Sequence, residues 1–177
     1  MKKAKKIIIS ALLLASSIIL TRFLSIRTPL ITIGFSFVST ILTAIILGPK
    51  YSIIINGLAD LIGALLFPSG AYFFGFTISS LVSGAIYGLL LHRKDKFKVD
   101  KWFVVRLIIS SLLVVALVNG VLNTIWVIII TKNAASIVMP VRILKQLIML
   151  PIQVITILLI SKTLENQIDG LVNDKAK

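Results

Sequence analysis

Apolar runs long enough to cross a lipid bilayer, separated by short turns, leave this chain little choice of fold. About 20 apolar residues span the hydrocarbon core as a helix. Six runs of that kind are read, at residues 7–23, 33–47, 51–67, 72–91, 103–130 and 142–164, the second of them short. Gly48-Pro49 marks a tight turn between the second and third runs, and Phe67-Pro68-Ser69-Gly70 another between the third and fourth. Connections this short join antiparallel neighbours. Of 177 residues, 58% are hydrophobic and 14% charged, where soluble domains have roughly 45–50% and about 25%. Lipid is therefore the expected solvent. The expectation is an all-α integral membrane protein: a single six-transmembrane-helix bundle over residues 1–177.

The basic residues orient it. Lys2, Lys3, Lys5 and Lys6 precede the first run, and Lys50 lies between the second and third. Arg93, Lys94, Lys96, Lys98 and Lys101 lie between the fourth and fifth, and Lys162, Lys175 and Lys177 at or after the end of the sixth. That puts thirteen on one side, with Arg106 near it, and five on the other: Arg22, Arg27, Lys132, Arg142 and Lys145. The positive-inside rule then places both the N and C termini in the cytoplasm, for a multi-pass protein of the cell membrane. The same bias accounts for the net charge of +13 without nucleic acid as a partner. The lysines ahead of the first run and the small residues Ala15-Ser16-Ser17 resemble a signal peptide. The run continues into Ile18-Ile19-Leu20 and five more follow, so an uncleaved first helix is expected.

Several chemistries are excluded. The chain has no cysteine, which removes disulfides, thiolate catalysis and cysteine metal sites. Its one histidine, His92, falls in the basic stretch His92-Arg93-Lys94 and is expected at the interface; a metal site typically needs three or four ligands. There is no Gly-rich phosphate loop ending in Lys-Ser/Thr, and no serine–histidine–carboxylate set. The chain is not expected to be an enzyme, to hydrolyse ATP, or to bind a cofactor of its own.

Four ionisable residues lie in or beside the apolar runs: Arg22, Asp60, Arg142 and Lys145. A charge at the centre of a membrane helix costs about 2.5–3.5 kcal/mol on insertion scales and marks a cavity, a partner or a pathway. Threaded through a bilayer, all four fall towards the outer side. Residues three or four apart share a helix face. Arg142, Lys145, Gln146, Met149 and Gln153 form one stripe, Asn119, Asn123 and Trp126 a second, and Asn56 and Asp60 a third. Aromatics gather at the same depth, among them Phe35, Phe37, Tyr72, Phe73, Phe74, Phe76 and Trp126. An interfacial belt favours Trp and Tyr; these are mostly Phe, which leaves a ring-stacking pocket as the other reading. Arg22, Arg27, Arg142 and Lys145 would serve carboxylates or phosphates. Asp60 and Asn123 would serve a donor-rich edge. The expected ligand is a flat heterocycle with an anionic tail. Small residues four apart, Ala11 and Ala15 on the first run and Ser80, Gly84 and Gly88 on the fourth, allow close helix approach. The second set is expected to pack internally; the first is open between internal packing and a partner.

Thr21-Arg22-Phe23-Leu24-Ser25-Ile26, Ile33-Gly34-Phe35, Leu47-Gly48-Pro49 and Ala59-Asp60-Leu61-Ile62-Gly63 follow one another along the chain. After them come Leu66-Phe67-Pro68-Ser69-Gly70-Ala71-Tyr72-Phe73, Gly75-Phe76-Thr77, Asn123-Thr124-Ile125-Trp126, and Arg142 with Lys145, Gln146, Pro151 and Gln153. In this order they resemble the substrate-binding (S) components of energy-coupling factor (ECF) vitamin transporters, within them the folate branch. Val38 and Phe74 depart from it, standing where relatives often carry proline. The resemblance implies a six-helix protein that captures a vitamin, here folate, from outside. It implies a module of one energy-coupling membrane subunit and two ATP-binding-cassette ATPases, which hydrolyse the ATP for import. Ala11 and Ala15 match the small-residue pattern that packs on the coupling subunit. For such a ligand, charge and depth place the pterin against Phe35, Tyr72, Phe74 or Trp126, with Asp60 or Asn123 at its polar edge, and the glutamate tail near Arg22, Arg27, Arg142 or Lys145. The segment from Phe23 to Ile33, with Pro29, is expected to act as a lid. The alternatives are an S component for another small heterocycle, or a membrane scaffold whose polar groups only pair internally, such as Asp60 with Arg22 or Lys145.

Overall fold

The computed structural model describes residues 3–28, 31–68, 72–93, 97–132 and 135–173, without the side chains of Arg27, Ala135, Ile137 and Asn173. Lys2, Lys94, Lys96, Lys175 and Lys177 of the cation count, Pro29 of the expected lid, and the Ser69-Gly70 turn lie outside these residues. In chain order the elements are α1 (Lys3–Arg22), β1 (Ser25–Arg27), β2 (Thr32–Gly34), α2 (Ser36–Leu47), α3 (Pro49–Leu66), α4 (Phe74–Leu91) and α5 (Lys101–Leu113). A π-helical segment (Val114–Leu122), α6 (Asn123–Thr131), α7 (Ala135–Thr163) and α8 (Glu165–Asn173) complete the fold. It is all-α apart from the small hairpin. The helix Lys101–Thr131 runs unbroken through α5, the π segment and α6. With α1, α4 and the stretch Val138–Thr163, it makes four helices long and apolar enough to cross a membrane. α2 is apolar but has 12 residues, and α3, with 18, carries Lys50 and Asp60.

The α2–α3 turn is a single residue. Gly48 has φ +85°, a left-handed conformation that only glycine adopts without strain, and Pro49 opens α3 with its fixed φ. The same glycine leaves room for His92, whose ring bonds the Ile45 carbonyl at 3.1 Å. His92 is thus half-buried and partnered rather than a bare interfacial residue. α3 and α4 lie against each other through Gly84 and Gly88. A Cβ added to Gly84 would stand 2.6 Å from the Ser52 carbonyl oxygen, and one on Gly88 2.5 Å from Pro49 Cα. The small-residue series on α4 therefore packs internally, as expected, while Ala11 and Ala15 on α1 are exposed.

The apolar core sits at one end of the bundle, built by Ile41, Ile45, Tyr87, Leu91, Phe97, Phe103, Leu107 and Ile157. α8, absent from the sequence reading, closes that end. Its Ile168 and Val172 are buried, and Asp169 accepts a hydrogen bond from the Phe97 N–H at 2.8 Å. Asp100 caps α5 by accepting from the Phe103 N–H at 2.7 Å, and pairs with Arg93 at 3.0 Å. The hydrogen bonds from Arg93, then that from Phe103, hold its carboxyl below the ordinary carboxylate range. A depressed carboxyl stabilises the fold above its unfolded pKa of about 4, and the contribution is lost as pH falls through the lower folded value. Asp100→Ala is expected to lower the melting temperature at neutral pH, by an amount that shrinks on acidification. Thermal unfolding across pH checks this; a difference constant with pH would refute it.

Two other elements differ from the sequence reading. The run at 33–47 contains a strand before its helix: β1 and β2 pair antiparallel, with Ser25 opposite Gly34 and Arg27 opposite Thr32. α7 starts at Ala135 rather than near Arg142 and runs through Pro140 and Pro151. Proline removes one backbone bond and bends a helix. Pro140 is the sixth residue of α7, past the first four N–H groups that have no intrahelical partner, so it too removes a backbone bond, the one to the Ser136 carbonyl.

Candidate functional site

The end of the bundle opposite the core holds a cavity of about 560 Å³, within the usual range for small-molecule sites of about 300–1,000 Å³. Helices α1 to α4, the π segment, α6 and α7 all contribute to its wall, and residues of the β hairpin cover one side, among them Ser25, Thr28, Thr32 and Gly34. The polar stripes found by spacing converge on it. Arg142, Lys145, Gln146, Met149 and Gln153 all line it from α7, Asn56 and Asp60 from α3, and Asn119 and Asn123 from the long helix.

Its charges are unevenly matched. Arg22, at the end of α1, donates from Nη2 to the Asp60 backbone oxygen at 3.3 Å and lies 3.9 Å from Asp60 Oδ1. Asp60 Oδ2 accepts from Thr77 Oγ1 at 2.7 Å, and Thr77 in turn bonds the Tyr72 hydroxyl at 2.9 Å. The acid is therefore held on both oxygens. Arg142 donates from Nη2 to the Asn119 carbonyl at 3.2 Å. Lys145 has no carboxylate partner among the described residues. Among the described residues, three cations thus face one carboxylate in a half-buried hollow. Coulomb interactions there are several-fold stronger than in water, so an anionic ligand is favoured.

The π segment explains how Asn119 serves this site. Its wider turn, with bonds from i to i+5, occurs mostly as short insertions at functional positions. The Asn119 carbonyl accepts from Thr124 Oγ1, five residues on, at 3.1 Å, as well as from Arg142. The Asn119 side chain accepts from Asn123 Nδ2 at 3.1 Å.

The aromatic wall differs from the expected one. Tyr72 lines the cavity together with Phe37, Phe73 and Phe76. Phe35 and Phe74 do not; they are 47% and 59% exposed. The lining residue is one position before Phe74 and two after Phe35. Phe73 is still extended, at φ −128° and ψ 117°, just ahead of the helix that begins at Phe74, so neighbouring side chains diverge. Trp126 stands behind the wall rather than on it. Its indole N–H donates to Ser79 Oγ at 3.1 Å, and its ring packs 5.5 Å from that of Phe73. Arg27 belongs to β1, and its side chain is outside the described residues.

The floor is a polar cluster around Gln153, whose partners Tyr87 and Ser111 the residue spacing had not brought in. Gln153 Nε2 donates to the buried Tyr87 hydroxyl and to Ser111 Oγ, the latter at 3.1 Å. Thr77, Ser80, Ser83 and Tyr87 recur three or four residues apart on α4, a stripe that could have been read alongside Gly84 and Gly88. Among the described residues no cluster of His, Asp or Glu is suited to a metal ion.

Residues 5–161 match the family described as "ECF transporter, substrate-specific component". The chain belongs to this family. It is thus the substrate-specific component of a transporter and not an enzyme, in keeping with its apolar helices. Two similar curated proteins are folate transporters named FolT. That of Clostridium novyi (strain NT) is 38% identical over 89% of this chain and 88% of its own length. That of Leuconostoc mesenteroides subsp. mesenteroides is 33% identical over 85% of this chain and 80% of its own. Among solved structures, the crystal structure of FolT bound with folic acid matches with a TM-score of 0.80 and 32% identity, covering 92% of this chain and 93% of that one. This S component shares both sequence and architecture with those proteins.

Proposed function

We propose that this S component captures folate from outside the cell and delivers it inward through an ECF module. The observation that carries the reading is the cavity itself: an aromatic wall beside Arg142 and Lys145, the second of which has no carboxylate partner among the described residues. A pterin with a glutamate tail suits both parts, and a ligand without an anionic tail would leave the cations unexplained. The FolT likeness points the same way. Tyr72, Phe73 and Phe76 would hold the ring, with Phe37 across from them, and Arg142 and Lys145 the tail carboxylates. Arg22 would hold Asp60 in place.

The chain would cross the cell membrane six times, with both termini in the cytoplasm and the hairpin end outside, as the distribution of basic residues favours. Partner ATPases would hydrolyse the ATP. The exposed Ala11 and Ala15 of α1 offer a smooth strip on which a coupling subunit can pack closely. Absorbance and native mass spectrometry of the purified protein test the reading. A co-purified pterin is the expected result; a protein that neither retains nor takes up folate would overturn it.

The hairpin would act as the lid. Phe23, at its base, already packs edge-on against Phe67 at the end of α3, with ring centroids 5.0 Å apart. Bridging cysteines placed at these two positions with a short crosslinker is expected to slow folate exchange strongly. Exchange unchanged by the bridge would refute the lid.

A further inference from the structure

The polar side chains on the cavity wall divide into two groups. Asn56 bonds Ser52 and Thr40, Thr77 bonds Asp60, and Tyr87 bonds Gln153. These are satisfied inside the protein. Gln146 Nε2 and Asn123 Oδ1 are buried on the same wall without a hydrogen-bond partner among the described residues. Gln146 is only 9% exposed. Asn123 cannot turn to exchange its ends without loss, because its Nδ2 is already committed to Asn119 Oδ1. The wall therefore offers one amide donor from α7 and one amide acceptor from α6, two helices that pack together. Buried amides left unpaired cost stability, and a ligand edge carrying an acceptor beside a donor would satisfy both. Arg142 and Lys145, as full charges, suit carboxylates instead.

We propose that Gln146, with Asn123, reads the heterocycle as a lactam. The ring carbonyl accepts from Gln146 Nε2, and the adjacent ring N–H donates to Asn123 Oδ1. The proposal rests on the folate reading above, since the pterin of folic acid carries this edge. Aminopterin replaces that carbonyl with an amino group and lacks the neighbouring ring N–H, so it sets a donor against the Gln146 donor. A site built to pair a polar group discriminates strongly against an analogue that cannot.

Isothermal titration of folic acid and aminopterin against the full chain in detergent tests this, with wild type, Gln146→Met and Gln146→Glu. Wild type is expected to prefer folic acid by about tenfold or more, the effect of one mispaired buried group. Gln146→Met, which keeps the length and loses the donor, should bring the two affinities within about threefold. Gln146→Glu should reverse the preference. If Gln146→Glu does not fold, the methionine variant decides. Equal affinities in wild type, or a folic acid preference unchanged in Gln146→Met, would overturn the lactam reading and leave folate capture intact. Wild type binding neither compound would overturn the folate reading, and this one with it.

Discussion

Replacing Arg142 with alanine will weaken folate binding by about two to three orders of magnitude while the helical bundle stays assembled. Truncating one partner of a buried, hydrogen-bonded charge pair typically costs about 2–5 kcal/mol, and each ~1.4 kcal/mol is tenfold in affinity. Arg142 lies on the cavity wall and is anchored to the Asn119 carbonyl at 3.2 Å, so its guanidinium is already positioned before a ligand arrives. Lysine at the same site keeps the charge and loses the planar fork, and should recover only part of the affinity. Isothermal titration measures the loss, with size-exclusion and circular dichroism as checks on folding. The result also separates transport from scaffolding. A scaffold would lose its fold when Arg142 is removed, whereas a capture site would lose its ligand.

The second large effect is on stability. Gly88→Leu will force α3 and α4 apart, because even a Cβ there would stand 2.5 Å from Pro49 Cα and 3.2 Å from Pro49 N. Backbone atoms cannot step aside as a flexible side chain can. Overpacking typically costs about 1–3 kcal/mol. For a chain of this size each kcal/mol is worth roughly 2–4 °C. A fall of about 5–10 °C in detergent is expected, with folate binding weakened through the displaced Asp60. Gly170→Ala in α8 is the control, since nothing lies within 4 Å of its added Cβ. A melting temperature for Gly88→Leu equal to that of the control would refute the close approach.

Much of the site was legible in the sequence because a membrane helix makes polar residues costly and therefore informative. The α7 stripe from Arg142 to Gln153 is the clearest case: regular helix spacing predicted a shared face, and all five residues line the cavity. Arg22 and Asp60 lie together, at 3.9 Å, for the same reason. Where the helix is not regular, the reading weakens. The π segment at Val114–Leu122 changes the phase of the long helix, and periodicity at 3.6 residues per turn has no means of anticipating it. Phe73 and Phe74 differ by one position at a helix start, where a side chain's direction depends on the backbone angle of a single residue. The strands at Ser25–Arg27 and Thr32–Gly34 are three residues each, too short for an alternating pattern to register.

By itself, the chain's order of residues determined its solvent, its helical class and which few side chains had to find something other than lipid. Those follow from transfer free energies, which add up residue by residue along a segment. Only the tertiary structure decided how the polar groups are shared: Asp60 held by Arg22 and Thr77, the Tyr87 hydroxyl bonded to Gln153, and Gln146 left with a donor unpaired among the described residues at the cavity. Hydrogen bonds and ion pairs act over a few ångströms between residues far apart in sequence. Which of them form depends on the packing that brings the helices together.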